Sequence, residues 1–194
     1  MEAVGIIELT SIGLGYVASD AMVKAADVRV VIARTICSGK YLVAVTGPVA
    51  EVQAAVDAGL ARIPDGLIDH AVIPRIAPAV FKALGQGVEL RISPAGGPGG
   101  SAAALPKALG VVETFSATSM FEAADAAVKA AAVTLFRVHL AMALGGKAYM
   151  LLAGGVADVR AGVESAAALV RAKGLLVSAV TIPGPSRELL REYI

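Results

Sequence analysis

The chain has 194 residues, in which 17 Lys and Arg stand against 16 Asp and Glu for a net charge of +1; no run of like charge breaks that balance, which excludes the usual footprint of a nucleic-acid or polybasic membrane binder. Apolar residues make up 57% and mean hydropathy is +0.74, yet the longest uncharged stretch of consequence, Ile92–Pro106, is broken by Gly and Pro, where a membrane-spanning helix needs about 20 apolar residues. Glu2 and Glu8 interrupt any signal-peptide core, so a cytoplasmic chain with no membrane partner is expected, part of whose apolar surface other subunits cover.

Val4–Leu9 is a short apolar run rich in β-branched residues and reads as a strand. Gly15–Ala26 follows as an amphipathic helix, with Asp20, Lys24 and Asp27 off its apolar face. Val28–Ala33 and Tyr41–Thr46 read as two more strands around a turn at Cys37-Ser38-Gly39. A second helix has Pro48 in its first turn and Val49, Val52 and Val56 at helical spacing, and Leu67–Ile73 is the last strand before a short helix. The order βαββαβ predicts an α+β, ferredoxin-like domain: an antiparallel sheet with both helices on one face.

The pattern then recurs. Ala3–Val28 aligns with Ala108–Val133, with Glu8 on Glu113, Ser11 on Ser116, Asp20 on Asp125 and Lys24 on Lys129. The register slips by two where Cys37-Ser38-Gly39-Lys40 meets the longer Met142-Ala143-Leu144-Gly145-Gly146-Lys147, and holds again from Lys40–Val52 on Lys147–Val159. The last helix of the second copy runs from Ser186 to Tyr193 with Ser186 as its N-cap. A tandem duplication is the expectation, with domains at 1–85 and 108–194 and a Gly/Pro-rich linker at 86–107. Within that linker Gly96–Ser101 lacks the closing Gly-Lys-Ser/Thr of a phosphate loop.

Three motifs occur twice: Gly-x-x-Glu in the first strand, Asp-Ala-x-Val-Lys-Ala-Ala in the first helix and a Gly-Lys opening the third strand. They resemble those of tandem bacterial microcompartment (BMC) domain shell proteins. More narrowly, Thr35–Lys40, Val133–His139 and Gly145-Gly146-Lys147 are similar to the iron-sulfur shell trimers of propanediol-utilisation microcompartments, with Ser38 where those proteins usually carry proline. The resemblance implies a homotrimer that imitates a hexagonal tile, joins other shell proteins in the facets of a microcompartment and has no enzymatic activity. It implies a central pore lined by Ile36, Cys37, Ser38 and Gly39 of one copy and by Met142, Ala143, Leu144, Gly145 and Gly146 of the other. Lys24, Asp27, Arg75 and Lys129 are implied at the tile edge, although the second copy has Gly184 where the first has Arg75.

One cysteine in the chain is too few for an iron-sulfur cluster, which takes four ligands, but cyclic symmetry multiplies an axial residue. The resemblance implies that Cys37 from three subunits binds a shared [4Fe-4S] cluster, serving electron transfer or cluster transport, with redox enzymes enclosed by the shell as partners. Two alternatives use the same residues: a metal-free pore gated by the longer second loop, and a soluble ligand-binding or signalling trimer. A buried thiol without a ligand role is the plain reading of a lone cysteine. Glu8 and Glu113 fall in strands of separate copies and read as structural, and His70 and His139 occupy non-equivalent positions, so neither pair forms a catalytic or metal set.

Overall fold

Ser11 and Ser116 each close a strand and open a helix, their side chains accepting the backbone N–H groups of Leu14 and Ser119. These caps supply acceptors to donors that the first helical turn leaves without partners. They also set the helix start: the first helix begins at Ile12, a turn earlier than apolar spacing alone predicts. The computed structural model describes residues 2–84, 105–142 and 144–193, with side chains to residue 190. Most of the expected linker, the phosphate-loop candidate Gly96–Ser101 and the pore-loop candidate Ala143 lie outside the described residues.

The first copy consists of β1 (Ala3–Leu9), α1 (Ile12–Ala25), β2 (Arg29–Ile36), β3 (Lys40–Gly47), α2 (Val49–Leu60), β4 (Leu67–Ile73) and α3 (Pro78–Leu84). The second repeats it as β5 (Ala108–Thr114), α4 (Ala117–Ala130), β6 (Thr134–Leu140), β7 (Ala148–Gly154), α5 (Val156–Ala172), β8 (Leu176–Pro183) and α6 (Arg187–Tyr193). Each copy is a four-stranded sheet, in orders β2-β3-β1-β4 and β6-β7-β5-β8, with every pair antiparallel. The βαββαβ expectation is met. Pro48 stands at the N-cap of α2, just outside the first turn, where its missing N–H costs no hydrogen bond. β2 runs to Ile36 rather than stopping at Ala33, because pairing with β3 continues through Ile36↔Lys40.

The duplication extends to irregularities. The register shifts at Glu8/Leu9 and Val30/Ile32 in the first sheet, and at Glu113/Thr114 and Leu135/Arg137 in the second. Gly5 and Gly110 mark a close approach of helix to sheet at the same place in each copy: a Cβ on Gly5 would stand 2.5 Å from Val56 Cγ2, and one on Gly110 2.7 Å from Val163 Cγ2. No other residue permits that contact.

Between the first sheet and its helices lies a core of Ile7, Leu9, Met22, Tyr41, Val43 and Val56. The opposite face, with Val4, Ile6, Leu42, Ala44 and Ile73, belongs to a second cluster that includes Ala117, Met120 and Phe121 of the other copy. Burial on both faces explains why β1 is apolar at every position but Glu8. The corresponding face of the second sheet has Val111, Tyr149 and Ile182 only partly covered.

Candidate functional site

The two strand-to-strand loops singled out by the sequence come together. Cys37 opens the turn between β2 and β3, and its backbone N–H donates to the carbonyl of Ala141 in the second-copy loop at 2.7 Å. Ser38 and Gly39 follow with φ of 65° and 70°, and a Cβ built on Gly39 meets nothing within 4 Å. The turn therefore presents its tip to open space, with Ile36 buried beneath it, Cys37 half-buried and Ser38 and Gly39 exposed.

Lys40 fastens this turn. Its ammonium donates to Glu8 Oε1 at 3.0 Å and to the carbonyls of Phe115 at 3.2 Å and Gly146 at 3.3 Å. Glu8 is 0% exposed, and a carboxylate so placed is stable only when its oxygens are occupied. Besides Lys40 it accepts the Ser116 hydroxyl at 2.8 Å and the Thr118 N–H at 3.1 Å, in the first turn of α4, where free N–H groups favour an anion. Glu8 is thus structural, as its place in a strand suggested, and it ties the first copy to the second.

The second loop carries positive φ at Ala141, Gly145 and Gly146. It is closed by the Lys147 N–H to the Leu144 carbonyl and held by a 2.7 Å contact between His139 Nε2 and the Met142 carbonyl, with His139 stacked on Tyr149. Met142 is exposed, and the space beside Gly145 is open. The pair equivalent to Lys40 and Glu8 is looser: Lys147 lies 3.5 Å from Glu113, whose other oxygen accepts the Ser178 hydroxyl at 2.7 Å.

Three of the four residues implied at the tile edge have separate partners within the chain. Lys24 pairs with Asp20 one turn back on α1 and is 73% exposed, and Asp27 donates its N–H to Glu51. Lys129 pairs with Asp125, which also accepts the Ala77 N–H and so is fixed to the other copy. Arg75 follows β4 at φ 50°, and its counterpart Gly184 has φ 55°. The backbone conformation is duplicated although the side chain is not.

A cluster that spacing did not reveal bridges the copies. Lys173, just past the end of α5, reaches Glu122 on α4 and, at 3.4 Å, Asp69 on β4; Asp69 Oδ2 lies 2.9 Å from Ser116 Oγ and shares that hydroxyl's one proton with Glu8. Burial raises the Glu122 pKa above its usual 4.5 against the lowering influence of Lys173. Burial opposes the Lys173 charge, but its hydrogen bond to Glu122 and the charges of Glu122 and Asp69 outweigh it and raise the pKa above 10.5. The only sequence signal was a pair of carboxylates on elements that otherwise bury apolar residues.

Among the described residues, no group of three or more His, Cys, Asp or Glu side chains is placed to hold a metal ion. The soft donor that one chain brings to these loops is the half-buried Cys37 thiol. That fits a cluster only where further subunits supply the remaining thiolates.

The BMC domain model matches residues 3–76 and again 108–185. Over 195 aligned residues the chain is 40% identical to the bacterial microcompartment shell protein PduT of Citrobacter freundii, covering 100% of this chain and 98% of that one. Over 77 residues it is 46% identical to the carboxysome shell protein CcmK2 of Synechococcus elongatus, covering 38% of this chain and 76% of that one. The crystal structure of a microcompartment protein from Desulfitobacterium hafniense superposes with a TM-score of 0.80 at 38% identity, covering 98% of this chain and 99% of that one.

Proposed function

The chain belongs to the BMC domain family and is a structural shell protein of a bacterial microcompartment, and from that premise we propose that three copies close into a pseudohexagonal facet tile whose pore holds a [4Fe-4S] cluster through Cys37 of each. The observation that carries the reading is the place of Cys37: in a turn beside open space, with its backbone held against the second-copy loop. A threefold axis through these loops gathers three thiolates, one short of the usual four ligands, so one iron takes a small ligand. Met142 occupies the equivalent place in the other copy and is a weak ligand, so the duplication lets one loop specialise.

When bound, the cluster supplies one-electron chemistry. The protein's own part is to hold the loop: Lys40 and Glu8 fix the start of β3, and the Cys37 N–H to Ala141 fixes the turn. Such a tile serves electron transfer or cluster transport across the shell, with redox enzymes enclosed within as its partners. Lys24, Asp27, Arg75 and Lys129 are the edge toward other shell proteins. In this role it is a structural element and not an enzyme.

Anaerobic purification with iron and sulfide analysis, and EPR after reduction, tests the reading. Wild type is expected to carry one cluster per trimer and Cys37→Ser none, with unchanged oligomer mass. A Cys37→Ser chain that keeps a wild-type iron and sulfide load overturns it. One observation favours a second reading, a metal-free gated pore: the longer loop has an exposed Met142, open space at Gly145 and three residues of positive φ. That reading expects iron at background and permeation that changes with Met142 and Gly145 variants.

A further inference from the structure

The turn that carries Cys37 has little to hold it at its tip. Ser38 and Gly39 are exposed, both have positive φ, and no side chain caps the turn. Its conformation therefore rests on what is fixed at either end, and both ends are fastened to the other copy. At the start the Cys37 N–H reaches the Ala141 carbonyl at 2.7 Å, and at the end the Lys40 ammonium reaches the Gly146 carbonyl at 3.3 Å. Ala141 and Gly146 flank the longer second loop, which has Met142 where the first loop has its thiol.

Lys40 serves three partners at once. An ammonium has three donors, and Glu8 Oε1, the Phe115 carbonyl and the Gly146 carbonyl take them. With the Lys40 side chain 15% exposed, little water is at hand to replace a lost partner. Gly146 is the residue that admits the ammonium: a Cβ there would stand 3.3 Å from Lys40 Cε and 3.4 Å from both Lys40 Nζ and Ser38 Oγ, on a backbone at φ 86°. The duplicate, Lys147 at 3.5 Å from Glu113, is 39% exposed and sits in a wetter site.

We propose that Lys40 is the positioning residue of Cys37: it straps the second-copy loop to the ligand turn, so that the loop without a ligand sets the exposure of the thiol and the hold on the cluster. The proposal rests on the cluster reading above and deepens it, because it makes the second loop part of the same site. Order then travels both ways. Fixing Cys37 on a cluster fixes its turn, and through Lys40 it also orders Gly145 to Lys147. A cluster held by one loop and a gate made of the other become linked states of one joint.

Lys40→Met in the full chain tests this. In the iron-free protein, alkylation of Cys37 by iodoacetamide is expected to run several-fold faster in Lys40→Met than in wild type. After anaerobic loading, Lys40→Met is expected to lose iron to a chelator about tenfold faster, the usual weight of a residue that orients a ligand. Amide exchange supplies the readout that a general loss of stability does not move: loading slows exchange at residues 145–147 in wild type and leaves it unchanged in Lys40→Met. Equal alkylation or equal iron loss overturns the proposal, as does a loading effect on those amides that survives in Lys40→Met. A wild type without iron overturns the cluster reading alone, and the alkylation rates still decide the strap. If Lys40→Met misfolds, Gly146→Ala keeps every charge and crowds Lys40 away from the loop carbonyl; the same faster alkylation is expected there, and its absence overturns the strap.

Discussion

Lys40 and Glu8 form an ion pair 3.0 Å long that is closed from water, with side chains 15% and 0% exposed, whereas the duplicate pair Lys147 and Glu113 is longer and open. One pair is sealed by the other copy and its twin is not, so identical chemistry has different consequences at the two sites. Glu8→Gln leaves Lys40 without its countercharge in a nearly dry site and is expected to cost about 3 kcal/mol. Glu113→Gln in the isolated chain is expected to cost less than about 1 kcal/mol. Urea unfolding of both variants, under conditions that keep chains apart, checks the ranking; equal losses would refute the assignment of Glu8 as the inter-copy anchor.

Gly5→Ala places a methyl where Val56 Cγ2 and Val52 Cγ1 already stand, at 2.5 and 2.7 Å. The expected loss is about 1–3 kcal/mol from overpacking. Val56→Ala costs stability in the wild type by opening a cavity, but in the Gly5→Ala background it is expected to restore part of the loss. Additive losses in a double-mutant cycle would show that the clash is relieved elsewhere.

The Lys173 cluster makes stability depend on pH. Lys173 has a pKa raised on folding, so its contribution is complete below 10.5 and is lost as pH rises through the folded value. Glu122 is also raised, so folding binds its proton more tightly and stability falls as pH rises from 4.5 through the raised value. Lys173→Met is expected to be less stable than wild type by about 1 kcal/mol near neutral pH, a value discounted because Lys173 is partly solvated. The gap should shrink in acid, where Glu122 is neutral, and above pH 10.5. Urea midpoints of both proteins across that range test this; a constant gap would assign the loss to packing alone.

Arg75 adopts φ 50° where the second copy uses Gly184 at φ 55°. A left-handed conformation costs a residue with a Cβ roughly 1 kcal/mol. Arg75→Gly is therefore expected to raise the thermal midpoint or leave it unchanged, while weakening assembly into sheets seen by negative-stain microscopy if the guanidinium works at the tile edge. A variant that loses stability would mean that the arginine side chain holds its own loop.

His139→Ala removes the brace on the Met142 carbonyl and the stack on Tyr149. Faster amide exchange is expected in residues 144–147, with β6 and β7 still protected. Unchanged exchange there would assign the loop's order to Lys147 and the positive-φ residues alone.

The duplication, the element order and both strand-to-strand loops were legible because they rest on local chemistry: β-branched runs, apolar residues at helical spacing, and glycines in the turns. Apolar spacing missed the first turn of α1, since Ile12 and Gly13 carry no amphipathic pattern in a single copy. The cluster of Asp69, Glu122 and Lys173 was not legible, because its members lie far apart in the chain and meet only where one copy packs on the other.

By itself the sequence determined two nearly equal domains, which follows from hydrogen bonding and apolar periodicity within short windows. Only the tertiary structure decided that the copies are not equivalent. Packing α4 against the first sheet dries Glu8 and hides Phe121, while the same operation leaves Glu113 wet and Tyr16 bare. The physical reason is that burial belongs to pairs of surfaces, and two copies in one chain make one such contact and leave one unfilled half at each end.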